Sequence, residues 1–567
     1  MSTPTTLPWR PLLGISLVQG ICLLLLYRAH DLDVWPAEAP RWSYPLWTIA
    51  IVVPLLLLLS IDSRNHRRVL QYTAAVAAVL ALLAAYTGFQ AEPFGEFPLY
   101  SMTFAFGASI GIAAFKALMY LQQRANEEPL SYPVLFTNSW RNFLVSVLAG
   151  IFTLIFWLIL VLWGQLFRVI GIDVFRDLFR EDWFLIPALS VAFGTGILLF
   201  RNLTRVIDSI TQLLHWLTKL LLPLTLAVAV VFLAALPFTG LRLLWDTGSG
   251  TALLLWLLAL ILFFTNAVYQ DGREAQPYPR LLHRAIYASL CVAPILSALA
   301  FYGLLLRLQQ YGWSVERCWA LVTWLILSLF GIGYVAGILR KRDDWTADLA
   351  RVNTLMGIVV LTITALANSP LVDFRKISMA SQLARVESGN IELKEFDFWY
   401  ARQHLARAGY LAMERIKAEI GDSDPELTAL LDNPLLPWQR PAADVDAIWN
   451  KMIYRPSRFE VPAGLRPLVA ASLTNSLMQP MLVQIDLDED GRQEYLLITW
   501  LDGAQGYVSA QFFAESAFGW QSRHLAHDTV TTDDEERQRL RTGEITLTPP
   551  QYRNVNIGGI EFRPNNY

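Results

Sequence analysis

Residues 484–498, with the sequence QIDLDEDGRQEYLLI, contain four carboxylates at spacings that could surround a cation. The first three alternate with other residues, and Gly491 follows them where the loop needs a sharp turn. Arg492 would add its backbone carbonyl to this set. Hard oxygen ligands at such spacings suit Ca²⁺. The sequence therefore predicts a calcium site whose ligands are Asp486, Asp488, Asp490, Arg492 and Glu494.

This loop departs from an EF-hand in two ways. Leu497 stands where that motif has its bidentate glutamate. The flanking segments MLVQI (481–485) and EYLLITW (494–500) predict strands rather than helices. The spacing resembles the Asp-x-Asp-x-Asp-Gly loops of integrin-type and related β-repeat domains, although Glu494 replaces the aspartate usual there. The alternative interpretation is an acidic hairpin whose aspartates cap the turn themselves.

A second pair of acids, Asp31 and Asp33 in HDLDVWP, follows the first apolar segment. Polytopic glycosyltransferases that use a lipid-linked sugar often carry catalytic acids just after the first span, and these two residues would lie there on the outer side. However, the loop of residues 28–43 is short for that class, and two acids are common in polar loops. The sequence contains no glycine-rich phosphate loop, no G-x-S-x-G elbow and no H-E-x-x-H motif. Asp31 and Asp33 are thus its catalytic candidates.

The segments that would position these loops belong to two different environments. Of the 567 residues, 54% are hydrophobic and 16% are charged, with a mean hydropathy of +0.38. A soluble protein carries about 25% charged residues. The front of the chain is basic and apolar, whereas the tail from Leu371 is acidic and polar. All three cysteines fall in or beside apolar segments, so we expect neither disulfides nor a cysteine zinc site.

Eleven stretches before Leu371 have the length of about 20 mostly apolar residues that a spanning helix needs. They lie near residues 11–27, 44–61, 69–88, 99–119, 142–163, 183–200, 213–236, 251–269, 285–305, 318–339 and 352–369. No cleavage pattern follows the first stretch, so we expect it to remain as a transmembrane helix. Three glycine pairs predict close helix packing within the chain: Gly107 and Gly111, Gly194 and Gly196, and Gly333 and Gly337.

The distribution of basic residues predicts the orientation of these spans. Arginine and lysine are nearly twice as frequent in the loops on the side of the N-terminus as in those on the other side. The positive-inside rule then predicts a cytoplasmic N-terminus, and an odd number of spans places the tail in the periplasm of a bacterium. Lys116 and Lys219 lie near the inner ends of their segments, and we expect both to extend to the cytoplasmic headgroups.

The tail divides into two predicted parts. Residues 371–460 are predicted to form helices ended by Gly389 and Gly421, followed by a proline-rich linker. Residues 461–567 are rich in β-branched and aromatic runs broken by turns, which predicts a β-rich domain that carries the acidic loop. The predicted fold is a polytopic α-helical membrane protein, with about 11 transmembrane helices in residues 1–370, and a C-terminal α+β soluble domain.

Three stretches of the chain resemble a bacterial domain family of unknown function. They are SWRNFLVSVLAGIFTLIFWLILVLWGQLF (139–167), SQLARVESGNIELKEFDFWYARQHLARAGY (381–410) and DLDEDGRQEYLLI (486–498). Members of that family are multipass inner-membrane proteins with an extracytoplasmic C-terminal region. The resemblance covers most of the chain and implies this localisation and architecture, but it implies no activity.

These patterns leave three functions open. The favoured one is a non-enzymatic inner-membrane sensor, scaffold or accessory factor whose periplasmic domain binds Ca²⁺ or an envelope partner. The second is a transporter or flippase of a lipid-like or uncharged substrate, which eleven spans suit. The third is the glycosyltransferase that would use Asp31 and Asp33. In each case we expect the lipid bilayer as the surroundings, an envelope protein or lipid as a partner, and no nucleic acid.

Overall fold

The computed structural model forms two compact units, residues 1–431 and 432–567. It describes residues 8–93, 95, 97–246, 249–269, 277–420, 427, 431, 449, 451–455, 459–462, 464–473, 478–486, 493–501, 508–516, 519–525, 555–557 and 560–562. The first unit is helical, and the second contains the strands.

The described residues contain eleven helical segments that are long and apolar enough to cross a bilayer, which confirms the predicted number. The helices up to the last span are α1 (Trp9–Asp31), α2 (Pro40–Ser60), α3 (His66–Gln90), α4 (Tyr100–Ala125), α5 (Tyr132–Val169), α6 (Val174–Leu178), α7 (Asp182–Asn202), α8 (Thr204–Thr239), α9 (Arg242–Asp246), α10 (Gly250–Tyr269), α11 (Arg280–Leu290), α12 (Ala293–Tyr311), α13 (Val315–Lys341) and α14 (Thr346–Ala367). Helices α11 and α12 together make one span. The chain is therefore a multi-pass membrane protein.

The spans form two groups, each around its own apolar core. Helices α1–α5 and α7, the first helix group, enclose a core that includes the fully buried Leu12, Leu58 and Ile197. Helices α8 and α10–α14, the second helix group, enclose a core that includes Leu222 and Leu296. The two groups meet where α4 and α5 contact α14, and at the first part of α8, where Ile207 packs into the first core. Burial of aliphatic side chains thus divides the bundle in two, with a seam between the groups.

Two of the three predicted glycine pairs lie at close helix contacts. A Cβ atom on Gly194 would overlap Ser16 of α1, so glycine is required where α7 crosses α1. For Gly107 and Gly111 the prediction is wrong, because both are exposed and an added Cβ would meet nothing within 4 Å. These two residues lie, with Phe104, on the face of α4 that turns away from both cores.

Three helices follow the last span and pack on one end of the bundle. We call α15 (Phe374–Glu387), α16 (Phe398–His404) and α17 (Ala406–Ile420) the helical cap. Arg407 of α17 donates a hydrogen bond to the backbone carbonyl of Glu92 at 3.0 Å. We call this the cap end of the bundle, and the opposite end, where α4 ends and α5 begins, the distal end.

Asp373 anchors the helical cap to α3. The Tyr86 hydroxyl donates a hydrogen bond to Asp373 Oδ2 at 2.6 Å, and Arg375 Nε lies 3.0 Å from Asp373 Oδ1. Burial alone would raise the pKa of the Asp373 carboxyl, but the charge of Arg375 and the Tyr86 hydrogen bond outweigh it and hold that pKa below its usual value. The carboxylate therefore stays charged at neutral pH and keeps both partners.

The second unit contains a five-stranded sheet in the order β1 (Ile453–Arg455), β2 (Met478–Ile485), β3 (Glu494–Leu501), β4 (Val508–Ser516) and β5 (Gly519–Leu525). Strand β1 is parallel to β2, and the later neighbours are antiparallel. Val469 of the short helix α18 (Arg466–Ser472) packs with Leu482 and Phe513 in one apolar core. Strands β6 (Val555–Ile557) and β7 (Ile560–Phe562) form a separate pair. This confirms the predicted C-terminal α+β part.

Candidate ligand cavity in the helical bundle

A cavity of about 350 Å³ lies on the seam between the two helix groups. Helices α4 and α5 line it from the first group, and α10, α13 and α14 line it from the second. Half of its lining residues are aromatic. The lining residues come from the last part of α4 and the first part of α5, so the cavity lies toward the distal end. Pockets at such seams, apolar with a few polar groups, are typical of ligand sites.

Four residues from four helices form a hydrogen-bonded cluster at this cavity, and we call Tyr132, Asn266, Tyr334 and Asn353 the Tyr–Asn cluster. Asn353 Nδ2 donates to the Tyr132 hydroxyl at 2.7 Å and to Asn266 Oδ1 at 2.6 Å. The Tyr334 hydroxyl lies 2.6 Å from Asn353 Oδ1 and 2.8 Å from Asn266 Oδ1, so its one proton is shared between them. These bonds satisfy polar groups that would be costly to leave unpaired in an apolar bundle.

The Tyr–Asn cluster was not among the predictions from the sequence, which concerned acidic and basic residues. The available signal was the presence of Asn266 and Asn353 inside apolar runs. Asparagine in a span faces the bundle interior, where another polar group can pair with it. Which of the other helices supplies that group does not follow from spacing along the chain.

Lys116 of α4 lines the cavity and is partly buried. Within the part of the chain that the structure describes, it forms no hydrogen bond, ion pair or ring contact. It lies nine residues before Ala125, the last residue of α4, which corresponds to about 13 Å along the helix. The structure thus places Lys116 in a cavity wall, where the sequence predicted only an extension to the headgroups.

The α4 side of the cavity is closed by a close contact with α14. The Tyr120 hydroxyl donates a hydrogen bond to the backbone carbonyl of Thr354 at 3.0 Å. A Cβ atom on Gly357 would overlap that same hydroxyl, so only glycine leaves room for the tyrosine to cross α14. This contact holds the two helix groups together beside the cavity.

The lining of the cavity reaches the surface of the bundle on α5 and on α10. There Trp140 and Phe263 are in contact, with ring centroids 6.4 Å apart. Phe143 and Phe263 line the cavity and are nevertheless 50% and 52% exposed. A bilayer would cover this surface, so these two lining residues would face lipid.

The structure describes only the two ends of the predicted calcium loop. Asp486 directly follows β2, and Glu494 begins β3, where it pairs with Ile485 across the hairpin. Asp488, Asp490 and Arg492 lie outside the described residues. Among the described residues, no group of three or more His, Cys, Asp or Glu side chains could hold a metal ion. The calcium site stays a prediction.

Asp31 and Asp33 lie at the cap end, at and beyond the end of α1. Asp31 Oδ2 is 3.4 Å from an Arg28 guanidinium nitrogen, and Asp33 is exposed with a φ of 48°. Neither residue lines the cavity on the seam. Their catalytic role stays a prediction, and the structure does not bring them to the candidate site.

Comparison with known protein families gives a match that includes the helices around the cavity. Residues 22–416 match the family model DUF4153, a domain of unknown function. The matched region begins within α1 and ends within α17, so it includes the whole cavity and most of the helical cap. No curated protein and no solved structure matches the chain.

Proposed function

The chain belongs to the DUF4153 family, and we propose that it is a non-enzymatic protein of the bacterial inner membrane that binds a lipid-like molecule as a sensor or accessory factor. The observation that carries this proposal is the cavity on the seam. Its aromatic lining suits hydrocarbon chains, and the Ser139 hydroxyl and the second amide hydrogen of Asn266 are available to a polar head. The half-exposed Phe143 and Phe263 mark a path from the bilayer.

Filling the cavity should abolish lipid binding. In Ser139→Trp, the indole would occupy space that Ser139 leaves free at the cavity wall. We expect a phosphatidylethanolamine with a photoactivatable acyl chain to label residues 132–143 and 263–267 of the wild-type chain in nanodiscs. Labelling of these segments should fall to background in Ser139→Trp, as measured by peptide mass spectrometry.

Thr137→Trp is the matched control, because Thr137 is exposed on the same helix, two residues away. This variant should be labelled like the wild type. Equal labelling of the cavity segments in all three chains would contradict binding in the cavity, and no labelling there in the wild type would remove the proposal.

Lipid transport is the second candidate function, and the seam favours it. The buried cores of the two helix groups are separate except at α8, so the groups could move relative to one another around a ligand between them, as transporters do. Movement of a fluorescent phospholipid between leaflets of proteoliposomes, lost in Ser139→Trp, would support transport. Binding without movement would support a sensor or accessory role.

The proposal places the distal end in the cytoplasm and the helical cap, with the C-terminal unit, in the periplasm. It is supported by the frequency of basic residues near the distal end. These include Arg64, Arg67, Arg68, Arg124, Arg141, Arg201, Arg205, Arg284, Arg340 and Lys341. A cytoplasmic position of such residues is what the positive-inside rule expects.

We also propose that the loop between β2 and β3 binds Ca²⁺ in the periplasm. The hairpin pairing of Ile485 with Glu494 supports this, because it fixes the ends of the loop close together. Binding only to the folded state stabilises it by about 2.7 kcal/mol at 100 times the Kd, and by less at lower ratios. The full chain in detergent should therefore show a higher Tm in millimolar Ca²⁺ than in chelator.

The double variant Asp486→Ala with Asp490→Ala should lose this difference in Tm while keeping its Tm in chelator. If the wild-type Tm is the same in Ca²⁺ and in chelator, and a calorimetric titration with Ca²⁺ gives no heat, the loop is an acidic turn and not a calcium site.

A further inference from the structure

We propose that Lys116 binds the phosphate of an anionic phospholipid whose head group enters the cavity between α5 and α10 from the distal half of the bilayer. This inference rests on the proposed function, since it names the class of lipid that the cavity takes. It adds to the proposed function that one residue, Lys116, recognises the negative charge of the lipid.

The charge of the cavity wall is the first argument. The structure describes all of the lining residues. Among them Lys116 is the only lysine or arginine, and there is no aspartate or glutamate. A buried or partly buried cation in an apolar bundle is costly unless an anion or a dipole compensates it. A phosphate in the cavity would supply that missing partner.

Other lysines in and beside the spans already have partners. Lys219 Nζ lies 5.6 Å from the ring centroids of Trp216 and Tyr278, within the range of a cation–π contact. Lys341 Nζ is 2.9 Å from Asp348 Oδ1. Lys116 differs from both, because no described side chain compensates its charge.

The direction of α4 argues against a purely structural role at the headgroups. Side chains of an α-helix tilt toward its N-terminus, and the N-terminus of α4 is at the cap end. Lys116 would have to turn against this tilt to extend over about 13 Å to the distal end. The cavity lies in front of it without such a turn.

The remaining lining fits the rest of a phospholipid. The Ser139 hydroxyl can donate a hydrogen bond to phosphate or glycerol oxygens, and so can Asn266, one of whose amide hydrogens bonds the Leu262 carbonyl at 3.0 Å. The acyl chains can leave between Phe143 and Phe263, which are both half exposed at the open side. The head group and the first part of the acyl chains would then lie in the cavity, against its aromatic lining, and the rest of the chains would lie outside it.

The test compares lipids that differ only in head group, with native mass spectrometry of the full chain in detergent. We expect dioleoyl phosphatidylglycerol to bind the wild type about tenfold more tightly than dioleoyl phosphatidylcholine. Both phosphates are charged, but the choline cation beside the second one opposes Lys116, and about 1.4 kcal/mol of such repulsion is a factor of ten. Lys116→Met should lose this preference, and Lys116→Arg should retain it. Lys219→Met is the matched control and should keep the wild-type preference.

Each outcome decides between defined alternatives. Equal affinity for the two lipids in the wild type would overturn the role of Lys116 while leaving the proposed function intact, whereas no binding of either lipid would remove the proposed function itself. Competition by millimolar inorganic phosphate would show that the site takes a free anion and would overturn the lipid assignment. If Lys116→Met does not fold, the wild-type comparison and Lys116→Arg still decide.

Discussion

Asn353→Leu is expected to lower the free energy of unfolding of the helical bundle by about 2–3 kcal/mol. Asn353 forms hydrogen bonds with three partners on α5, α10 and α13, at 2.6–2.7 Å. Leucine would leave Tyr334, Tyr132 and Asn266 each with one partner fewer in an apolar surrounding. A single hydrogen bond between membrane helices contributes about 0.6 kcal/mol on average, but a buried group left unpaired costs about 1–3 kcal/mol.

The measurement is the midpoint of unfolding in an SDS titration of the purified chain. Thr354→Ala is the matched control, because among the described residues the Thr354 hydroxyl bonds only to the Ala350 carbonyl of its own helix, at 2.9 Å. This control should change the midpoint little. If Asn353→Leu unfolds at the same SDS fraction as Thr354→Ala, the Tyr–Asn cluster does not hold the seam together.

An all-or-none difference is expected for alkaline phosphatase fused at the two ends of the bundle, because this enzyme is active only outside the cytoplasm. Fusions after Gly312, at the cap end, and after Tyr567 should be active. A fusion after Lys341, at the distal end, should be inactive. The reason is the excess of arginine at the distal end, which the positive-inside rule places in the cytoplasm.

Equal amounts of the three fusion proteins, checked by immunoblot, are the control for this comparison. Activity after Lys341 and inactivity after Gly312 would reverse the orientation. It would then place the cavity in the outer half of the bilayer, and the source of the proposed lipid would change with it.

The spans were predictable from the sequence, and the cavity was not. A run of about 20 apolar residues satisfies its own backbone hydrogen bonds in lipid as a helix. Length and composition are therefore enough to predict helices such as α10. The strands on both sides of the acidic loop were also predictable from their β-branched and aromatic residues.

The arrangement of the helices has no comparable local signal. Asn266 and Asn353 are 87 residues apart, and only the folded bundle shows that they meet. The glycine spacing of α4 shows the same limit, because it predicted packing for Gly107 and Gly111 while the helix presents that face outward. The sequence placed Lys116 in a span, but it did not show which residues of other helices would surround it.

The contacts of the helical cap set an order for the biosynthesis of this protein. Tyr86 and Asp373 are 287 residues apart, and Arg407 is 315 residues from the Glu92 carbonyl that it binds. At roughly 5–20 residues per second, the ribosome needs on the order of 15–60 s to make such a stretch. During this time α3 and the segment after it are in the membrane without their partners. The cap end must therefore close last, after every span has been inserted, and a chain that stops before α15 would never close it.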